Sequence, residues 1–527
     1  MELNKENRSL IIYLFLFGIL ASMSLLKYHN LNSTVFDLGI FLHNFSNIAE
    51  GEWNRLFLSH SQPLMFLWSL FYKFLPGEIP PGLVLISQAA FLAFPVMGLY
   101  RYYGILPALA FALYFPLWYN ALFDFHMDHL AVPILFTFFF LEKRGNIWGA
   151  VIVGVLLALV KEPFALQTAF CGLYLALCRR QRAAGAVLIL FGFLYFLGAT
   201  QYVQKYFNSH FIFLVGESNI ITLDSSAYTW FGSSLPDKIW FILFRPHLVL
   251  WNIISTPDKV LFILYLFGSL GFISLLSPSA LLVSIPIWGA SLLSQFPGHY
   301  GFTHHYTAGL IAPMIIAFAE GLPKARRIWD NHGLKEQAFY PLVISGLFVC
   351  HILLSPSPIG RKFYIQKAWF HHYSVYFPQE RNRMIKKAIR THIPAQTDAV
   401  LSIQNTMNWD YLTQRKIFFV FPHGATEMAS SMAGSSLNWK GFSKFLQSGQ
   451  LEPIQPERRW ADFVILDMKR PWFIGDRGCH WISGRCRNGE DFEVRFLDLV
   501  EKTKERFDPV FEYDGFIILK RRDFETS

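Results

Sequence analysis

Carboxylates and imidazoles are the side chains that exchange protons most readily near neutral pH, and here they gather in a few short runs beside apolar stretches. The first run is Thr34-Val35-Phe36-Asp37-Leu38-Gly39-Ile40-Phe41-Leu42-His43-Asn44-Phe45, which sets a carboxylate directly after the first apolar segment. Alone, an Asp in that place reads as a helix cap or a solvated loop residue. The remaining runs change its weight: Asp124-Phe125-His126-Met127-Asp128-His129, Lys161-Glu162, His299-Tyr300 and His304-His305-Tyr306. Carboxylates and imidazoles packed as closely as in the Asp124 run suit a divalent metal or a catalytic base, so Asp124 and His126 are the candidates for a metal such as Mg or Mn. A helix end dipping into water accounts for the same run without a site. Lys161 suits a phosphate partner, against the plainer reading of a lysine snorkelling from a span or an interfacial ion pair with Glu162. Neutral imidazoles at His299, His304 and His305 can donate and accept around sugar hydroxyls or phosphate oxygens, while an aromatic belt at a membrane boundary accounts for Tyr300 and Tyr306.

The elements that must carry these residues are read from composition. Of 527 residues, 53% are hydrophobic, 17% aromatic and only 16% charged, a balance unlike that of a cytosolic protein. The apolar residues lie in blocks: 10–26, 83–100, 105–122, 130–141, 147–160, 164–178, 183–199, 260–276, 280–293, 306–319 and 339–354. Several reach the length that crosses a bilayer and the shorter ones gain from uncharged flanks, so the expectation is about eleven transmembrane helices. The first block follows Lys5 and Arg8 as a secretory leader would, but its length and the many later spans favour a retained anchor.

Basic residues orient the spans. With the amino terminus inside, Arg101, Glu142-Lys143-Arg144, Arg179-Arg180-Gln181-Arg182 and Lys324-Ala325-Arg326-Arg327 fall in cytoplasmic connections. The chemistry-bearing runs then all face the opposite side. The long first outer loop, 27–82, is expected to hold two interfacial helices, Phe36 to Glu50 and Ser61 to Leu75, since Leu38, Phe41, Leu42 and Phe45 recur at helical spacing. A further short span at Ser61 to Leu75 would invert the downstream topology and move the basic clusters outside. A formal charge of +9 fits loops beside anionic lipid, and no motif turns it into a nucleic-acid footprint.

After Ser355 the apolar blocks stop and charge rises. The division is therefore 1–355, a transmembrane unit, and 356–527, a soluble α/β unit outside the cytoplasm. Asp398 to Gln404, Lys416 to Phe421 and Ala461 to Asp467 read as buried strands, Pro378 to His392 and Asp491 to Phe507 as helices, and Val510 to Lys520 as a hairpin turning at Asp514-Gly515. There is no Gly-rich phosphate loop and no zinc-finger spacing. Cys171, Cys178 and Cys350 sit in apolar blocks as packing residues, and Cys479 and Cys486 suit a disulfide in an oxidising compartment.

At these residues the chain resembles the predicted membrane proteins grouped as domain of unknown function 2079, which are similar to the GT-C glycosyltransferase superfamily. The resemblance is carried by Phe36-Asp37-Leu38-Gly39-Ile40-Phe41, Asp124-Phe125-His126, Lys161-Glu162, His304-His305-Tyr306 leading to Ala312-Pro313, and Ala461-Asp462-Phe463-Val464-Ile465-Leu466-Asp467 with Arg470-Pro471-Trp472. It covers nearly the whole chain through their order and spacing. It implies transfer of a sugar from a polyprenyl-phosphate carrier at the extracytoplasmic face, with Asp37 at the position of the catalytic base. Pro163, where an acidic residue is expected, and His43, where a Gln is frequent, depart from the pattern.

The sequence therefore leads to a polytopic α-helical, GT-C-like membrane glycosyltransferase in a bacterial or archaeal cytoplasmic membrane. Asp37 is the base; Asp124 and His126 serve a metal or the acceptor; Lys161, Glu162, His299, His304, His305 and Tyr306 contact substrate. The partners are a polyprenyl-phosphate-linked sugar, a cell-envelope glycan, lipid or protein acceptor, and membrane lipid. A transporter or flippase of a lipid-linked saccharide is the alternative, since it uses the same phosphate contacts without breaking a bond.

Overall fold

A computed structural model describes residues 4–523 apart from 59, 76, 78, 212–226, 366–369, 396–397, 416, 432–438, 451–456, 471–478, 481–484 and 487–491. Five helices among the described residues are long and apolar enough to cross a membrane: Lys5–His29, Ile79–Tyr103, Arg182–Phe207, His305–Asn331 and Glu336–Leu354. Two bent pairs raise the number to seven, Ile105–Leu113 with Phe115–Leu122 at 50° and Pro246–Ile254 with Pro257–Gly268 at 83°. Proline accounts for both breaks: Pro116 and Pro257 each open the second helix of the pair, where the ring supplies no N–H to continue the preceding one.

The expected count of eleven is thus not reached by helices of spanning length. The blocks at 130–141, 147–160, 164–178 and 280–293 form Ala131–Lys143, Ile147–Ala158, Glu162–Leu173 with a π-turn Tyr174–Cys178, and a 3₁₀ turn Ala280–Ser284 leading into Ile285–Leu293. At 1.5 Å per residue a 13-residue helix is about 20 Å long, short of the ~30 Å hydrocarbon core. The stretch 201–259, which lies between two apolar blocks, holds the helices Leu235–Phe244 and Pro246–Ile254. The first long connection matches expectation: a π-turn Val35–Gly39 runs into Ile40–Ala49, and a 3₁₀ turn Pro63–Met65 runs into Phe66–Phe74, a helix of 9 residues and no span.

Small residues bring the helices together. A side chain at Gly172 would meet the Gly185 carbonyl oxygen at 2.5 Å, so Glu162–Leu173 and Arg182–Gly198 approach backbone to backbone. The helices carry polar groups at two ends. Arg179 binds Glu142 at 2.9 Å and Glu320 at 3.6 Å, which ties together one end of three helices. Glu320 stands 15 residues, or about 22 Å, along its helix from His305, where the chemistry-bearing residues collect.

Beyond residue 355 the chain forms a five-stranded sheet in the order Phe418–Val420, Leu401–Ile403, Phe463–Asp467, Phe516–Arg521, Phe507–Tyr513. The first three strands run parallel and the last two complete the sheet antiparallel. These strands, the helices Glu380–His392 and Phe492–Lys504, and the hairpin lie where the sequence placed them. The hairpin turns at Asp514 (φ 50°) and Gly515 (φ 79°), the positive pair that a tight turn between twisted strands requires. Backbone pairing sets Cys479 opposite Cys486; their side chains lie outside the described residues, as does Trp472.

The carboxyl ends of the parallel strands point at the first long connection of the membrane part. Arg470 donates to the carbonyl of Leu31 (2.6 Å) and to Asn32 Oδ1 (2.7 Å), and Lys386 donates to the carbonyl of His29 (2.7 Å). One buried apolar cluster runs unbroken from Leu38, Leu42 and Phe45 into Leu401, Ile403, Met407, Trp409 and Leu412. The contact is anchored by Asp467, whose side chain is fully buried. Arg381 grips it bidentately at 2.7 and 3.0 Å, and Arg470 adds a third bond at 2.7 Å. Burial raises the Asp467 carboxyl, and the two guanidinium groups outweigh it and hold the group below the usual carboxylate range.

A depressed carboxylate stabilises the fold fully above its unfolded value, about 3.9, and loses that contribution as pH falls through the lower folded value. Asp467→Asn is therefore expected to cost about 3 kcal/mol at neutral pH by leaving Arg470 without its counter-charge and Arg381 with only Asp514. Unfolding of wild type and variant, followed across pH, should show the difference shrinking only below pH ~4. A difference that is flat down to acid pH would remove the ion cluster as its cause.

Candidate functional site

The site grows from the end of the first helix. Lys27 lies two residues inside that end and is 2% exposed. Its ammonium donates to the carbonyls of Leu122 (2.7 Å) and Phe123 (2.5 Å), at the carboxyl end of Phe115–Leu122, where the helix has carbonyls to spare. Asp124 follows at once, and its Oδ1 stands 3.4 Å from Lys27 Nζ. The other oxygen, Oδ2, accepts from the Thr34 backbone N–H at 2.8 Å. Thr34 Oγ1 lies 2.8 Å from this same Oδ2 and 2.8 Å from Asp37 Oδ2, so one hydroxyl links the two carboxyl groups.

Asp37 sits in the π-turn Val35–Gly39, outside the spans. Its Oδ1 is 3.1 Å from His126 Nε2, and its side chain keeps 12% exposure. Burial raises this carboxyl; the hydrogen bond and charge of His126, with the Thr34 hydroxyl, overcome burial and hold it below the ordinary carboxylate range. The ring of His126 stacks on that of His305, centroids 3.6 Å apart. Past His305 comes Asp128, with Lys161 Nζ at 3.5 Å and His305 Nε2 at 3.9 Å from its Oδ2. His126 Nδ1 and His305 Nδ1 are buried without a hydrogen-bond partner. Together these residues form a file: Lys27, Asp124, Thr34, Asp37, His126, His305, Asp128, Lys161.

Most of the sequence-predicted residues join this file or border it. Asp37, Asp124, His126, Lys161 and His305 are members. His304 packs its ring 5.0 Å from Phe123, and burial lowers its pKa to about 4, so it is uncharged at neutral pH. His299 and Tyr306 form a flank: their rings meet edge to face at 4.6 Å, Tyr306 reaches His305 at 4.3 Å, and His299 Nδ1 bonds Ser294 Oγ at 2.8 Å. Glu162 is not part of the file; it pairs with His60 at 2.6 Å and takes the Ser61 N–H at 3.2 Å, which fixes the second half of the first connection. His43 packs against the C-terminal region, bonded to the Thr413 carbonyl at 3.2 Å.

The two residues expected to serve a metal or the acceptor, Asp124 and His126, stand one on each side of Asp37. Asp124 faces an ammonium on one oxygen and two donors on the other, and His126 spends Nε2 on Asp37. No group of three carboxylate, imidazole or thiolate side chains suited to a metal occurs among the described residues. The two residues hold each other's neighbourhood in place through Thr34 and Asp37.

Of the other three members, Asp128 was named only within the Asp124 run, and Lys27 and Thr34 were not singled out from sequence. Lys27 carried a signal, a charge within the end of an otherwise apolar span, which by default marks function or a buried partner. Thr34 carried none, since a threonine at a helix start is ordinary.

A model of the family described as predicted membrane proteins, DUF2079, matches residues 27–405, more than half of the chain. The chain belongs to that family. With its long apolar helices it is an integral membrane protein. The family's match opens at Lys27, the first member of the file, and includes every other member. A comparison with curated proteins finds no match. Among solved structures the chain is similar to the crystal structure of ArnT from Cupriavidus metallidurans bound to undecaprenyl phosphate, with a TM-score of 0.42, 11% identity, and coverage of 96% of this chain and 97% of that one.

The Thr34 link gives a direct test of the file. Thr34→Val keeps the shape of the side chain and removes the hydroxyl that stands between the Asp124 and Asp37 carboxyl groups, for an expected cost of about 1–3 kcal/mol. Thr34→Ser, which retains the hydroxyl, should unfold close to wild type in detergent. Equal unfolding temperatures for Thr34→Val and wild type would show that the hydroxyl does not hold the two carboxyl groups.

Proposed function

We propose that this protein is a glycosyltransferase of GT-C type that moves a sugar from a polyprenyl-phosphate carrier to a hydroxyl of a cell-envelope glycan, lipid or protein. The observation that carries the reading is the setting of Asp37. It is a carboxylate held below the ordinary range in the turn that follows the first membrane helix, oriented by Thr34 and His126, with the His305 ring stacked on His126 and Lys161 farther along the same file beside Asp128. A base beside a cationic and imidazole surface matches the two needs of sugar transfer from a lipid phosphate: a proton must leave the attacking hydroxyl, and charge grows on the departing phosphate.

In this reading the acceptor oxygen attacks the anomeric carbon as Asp37 takes its proton. The bond from that carbon to the phosphate oxygen breaks, and its electron pair leaves with polyprenyl phosphate. His126 donates to Asp37 Oδ1 and keeps the carboxylate aimed. Lys161, with His304 and His305 beside it, faces the phosphate, whose own acidity removes the need for a strong general acid. Displacement from the opposite face predicts inversion at the sugar. The site end of the helices faces outside the cytoplasm, opposite the basic ends at Lys143, Arg179 and Arg326, and the C-terminal α/β region on that side helps to select the acceptor.

The test is release of polyprenyl phosphate by purified protein in nanodiscs, offered a panel of polyprenyl-phosphate sugars and an envelope extract. Asp37→Asn, which keeps size and most hydrogen bonds, is expected to lower turnover by roughly 10²–10⁴-fold while carrier binding persists. Equal release by both proteins would remove Asp37 as base. No release from any donor, together with movement of the carrier across a liposome bilayer, would replace the transferase by a transporter.

A further inference from the structure

The π-turn that carries Asp37 starts a helix, and the first amides of a helix have no acceptor within it. In this turn they are served from far along the chain. The Thr34 N–H goes to Asp124, the Val35 N–H to the backbone carbonyl of Asn405 at 2.8 Å, and the Phe36 N–H to the side-chain Oδ1 of Asn405 at 2.7 Å. One asparagine thus caps two successive amides immediately before the carboxylate, a task usually performed by a residue next to the helix it caps.

The segment behind Asn405 is built to hold still. It follows the strand Leu401–Ile403, which lies between two parallel neighbours, and Gln404 ties back to the carbonyl of Asp467 at 3.2 Å. Asn408 donates its N–H to the carbonyl of Ser33 at 3.2 Å. On the far side of the turn a side chain at Gly39 would stand 3.0 Å from Asn408 Oδ1 and 3.2 Å from Thr413 Cγ2, so the segment is pressed against the turn without slack. Gln404, Asn405 and Asn408 are all fully buried.

We propose that Asn405 is a positioning residue for Asp37: its carboxamide locks the π-turn from the C-terminal region and sets the aim of the carboxylate. The effect on turnover rests on the reading of Asp37 as base; the effect on the turn does not. Without the carboxamide the Phe36 N–H is left buried and unpaired, and the turn relaxes toward conformations in which Asp37 leaves His126 and Thr34. A reacting group displaced by an ångström loses a large share of its rate with little change in binding.

The experiment compares the full-length wild type, Asn405→Ala and Asn408→Ala in nanodiscs. Asn408→Ala removes a side chain of the same size from the same segment, one whose carboxamide makes no hydrogen bond, so it reports packing loss alone. Hydrogen–deuterium exchange over residues 33–41 should quicken at least tenfold in Asn405→Ala and about twofold or less in Asn408→Ala. With a donor that the wild type consumes, Asn405→Ala should lower kcat by roughly tenfold or more while KM for the carrier stays within about twofold. Unchanged exchange in Asn405→Ala, equal effects in both variants, or faster exchange with kcat intact would each overturn the proposal. If the wild type consumes no donor, the transferase reading fails by itself, and exchange alone decides whether Asn405 holds the turn.

Discussion

A buried charge must have a partner of opposite sign or a set of aligned dipoles, and the membrane part of this protein is arranged around that constraint. Lys27 cannot stay at the end of an apolar helix unless carbonyls and a carboxylate meet it, and Leu122, Phe123 and Asp124 do so. Asp124 then brings Thr34, Thr34 brings Asp37, and the sequence of partners runs through His126 and His305 to Asp128 and Lys161. Each link joins a different element: the first helix, the first connection, the bent pair, the entry to Ala131–Lys143, the start of Glu162–Leu173 and the start of His305–Asn331. The charges therefore set the relative positions of the helix ends more tightly than apolar packing does, because packing tolerates sliding and a 2.8 Å hydrogen bond does not.

The same helices carry a second polar assembly, Glu142 with Arg179 and Glu320, about 20 Å away along their axes. Between the two lie apolar residues and close glycine contacts that restrict rotation of one helix against another. Rigid rods pinned at both ends give a site whose geometry is fixed before a substrate arrives. That suits groups which act by aim and electrostatics, since such groups gain most from preorganisation. The Leu235–Phe244 and Pro246–Ile254 helices are of another kind, with no buried residue in either, and take no part in the site's frame.

Much of this was legible from sequence, and the reasons differ by residue. Apolar blocks and alternating strands are local patterns, so the helices and the sheet beyond residue 400 fell where expected. The length of individual helices was less legible, because a proline breaks helices that composition alone leaves continuous, as at Tyr114-Phe115-Pro116. Asp37, His126, Lys161 and His305 stood out as ionisable residues beside apolar runs, and the fold collects them. Glu162 stood out equally and turned elsewhere, because adjacent residues at a helix start point in different directions. Thr34 and Asn405 were not legible at all. A threonine or an asparagine announces a hydrogen bond but not its partner, and the partners are 90 and 369 residues away.

That last separation has a consequence for assembly. The turn with Asp37 is made early in the chain, yet two of its amides are satisfied only by Asn405, behind a strand whose neighbours are Phe418–Val420 and Phe463–Asp467. Closing a loop of that length is entropically costly and comes late, after local helices have formed. Until the sheet forms, the Val35 and Phe36 amides lack the acceptors that Asn405 supplies, and Asp37 is held by Thr34 and His126 alone. The membrane helices can insert and pack without the site being complete. Completion waits on the C-terminal region, which makes the sheet part of the site's frame and ties the direction of Asp37 to contacts such as Arg470 with Leu31 and Asn32.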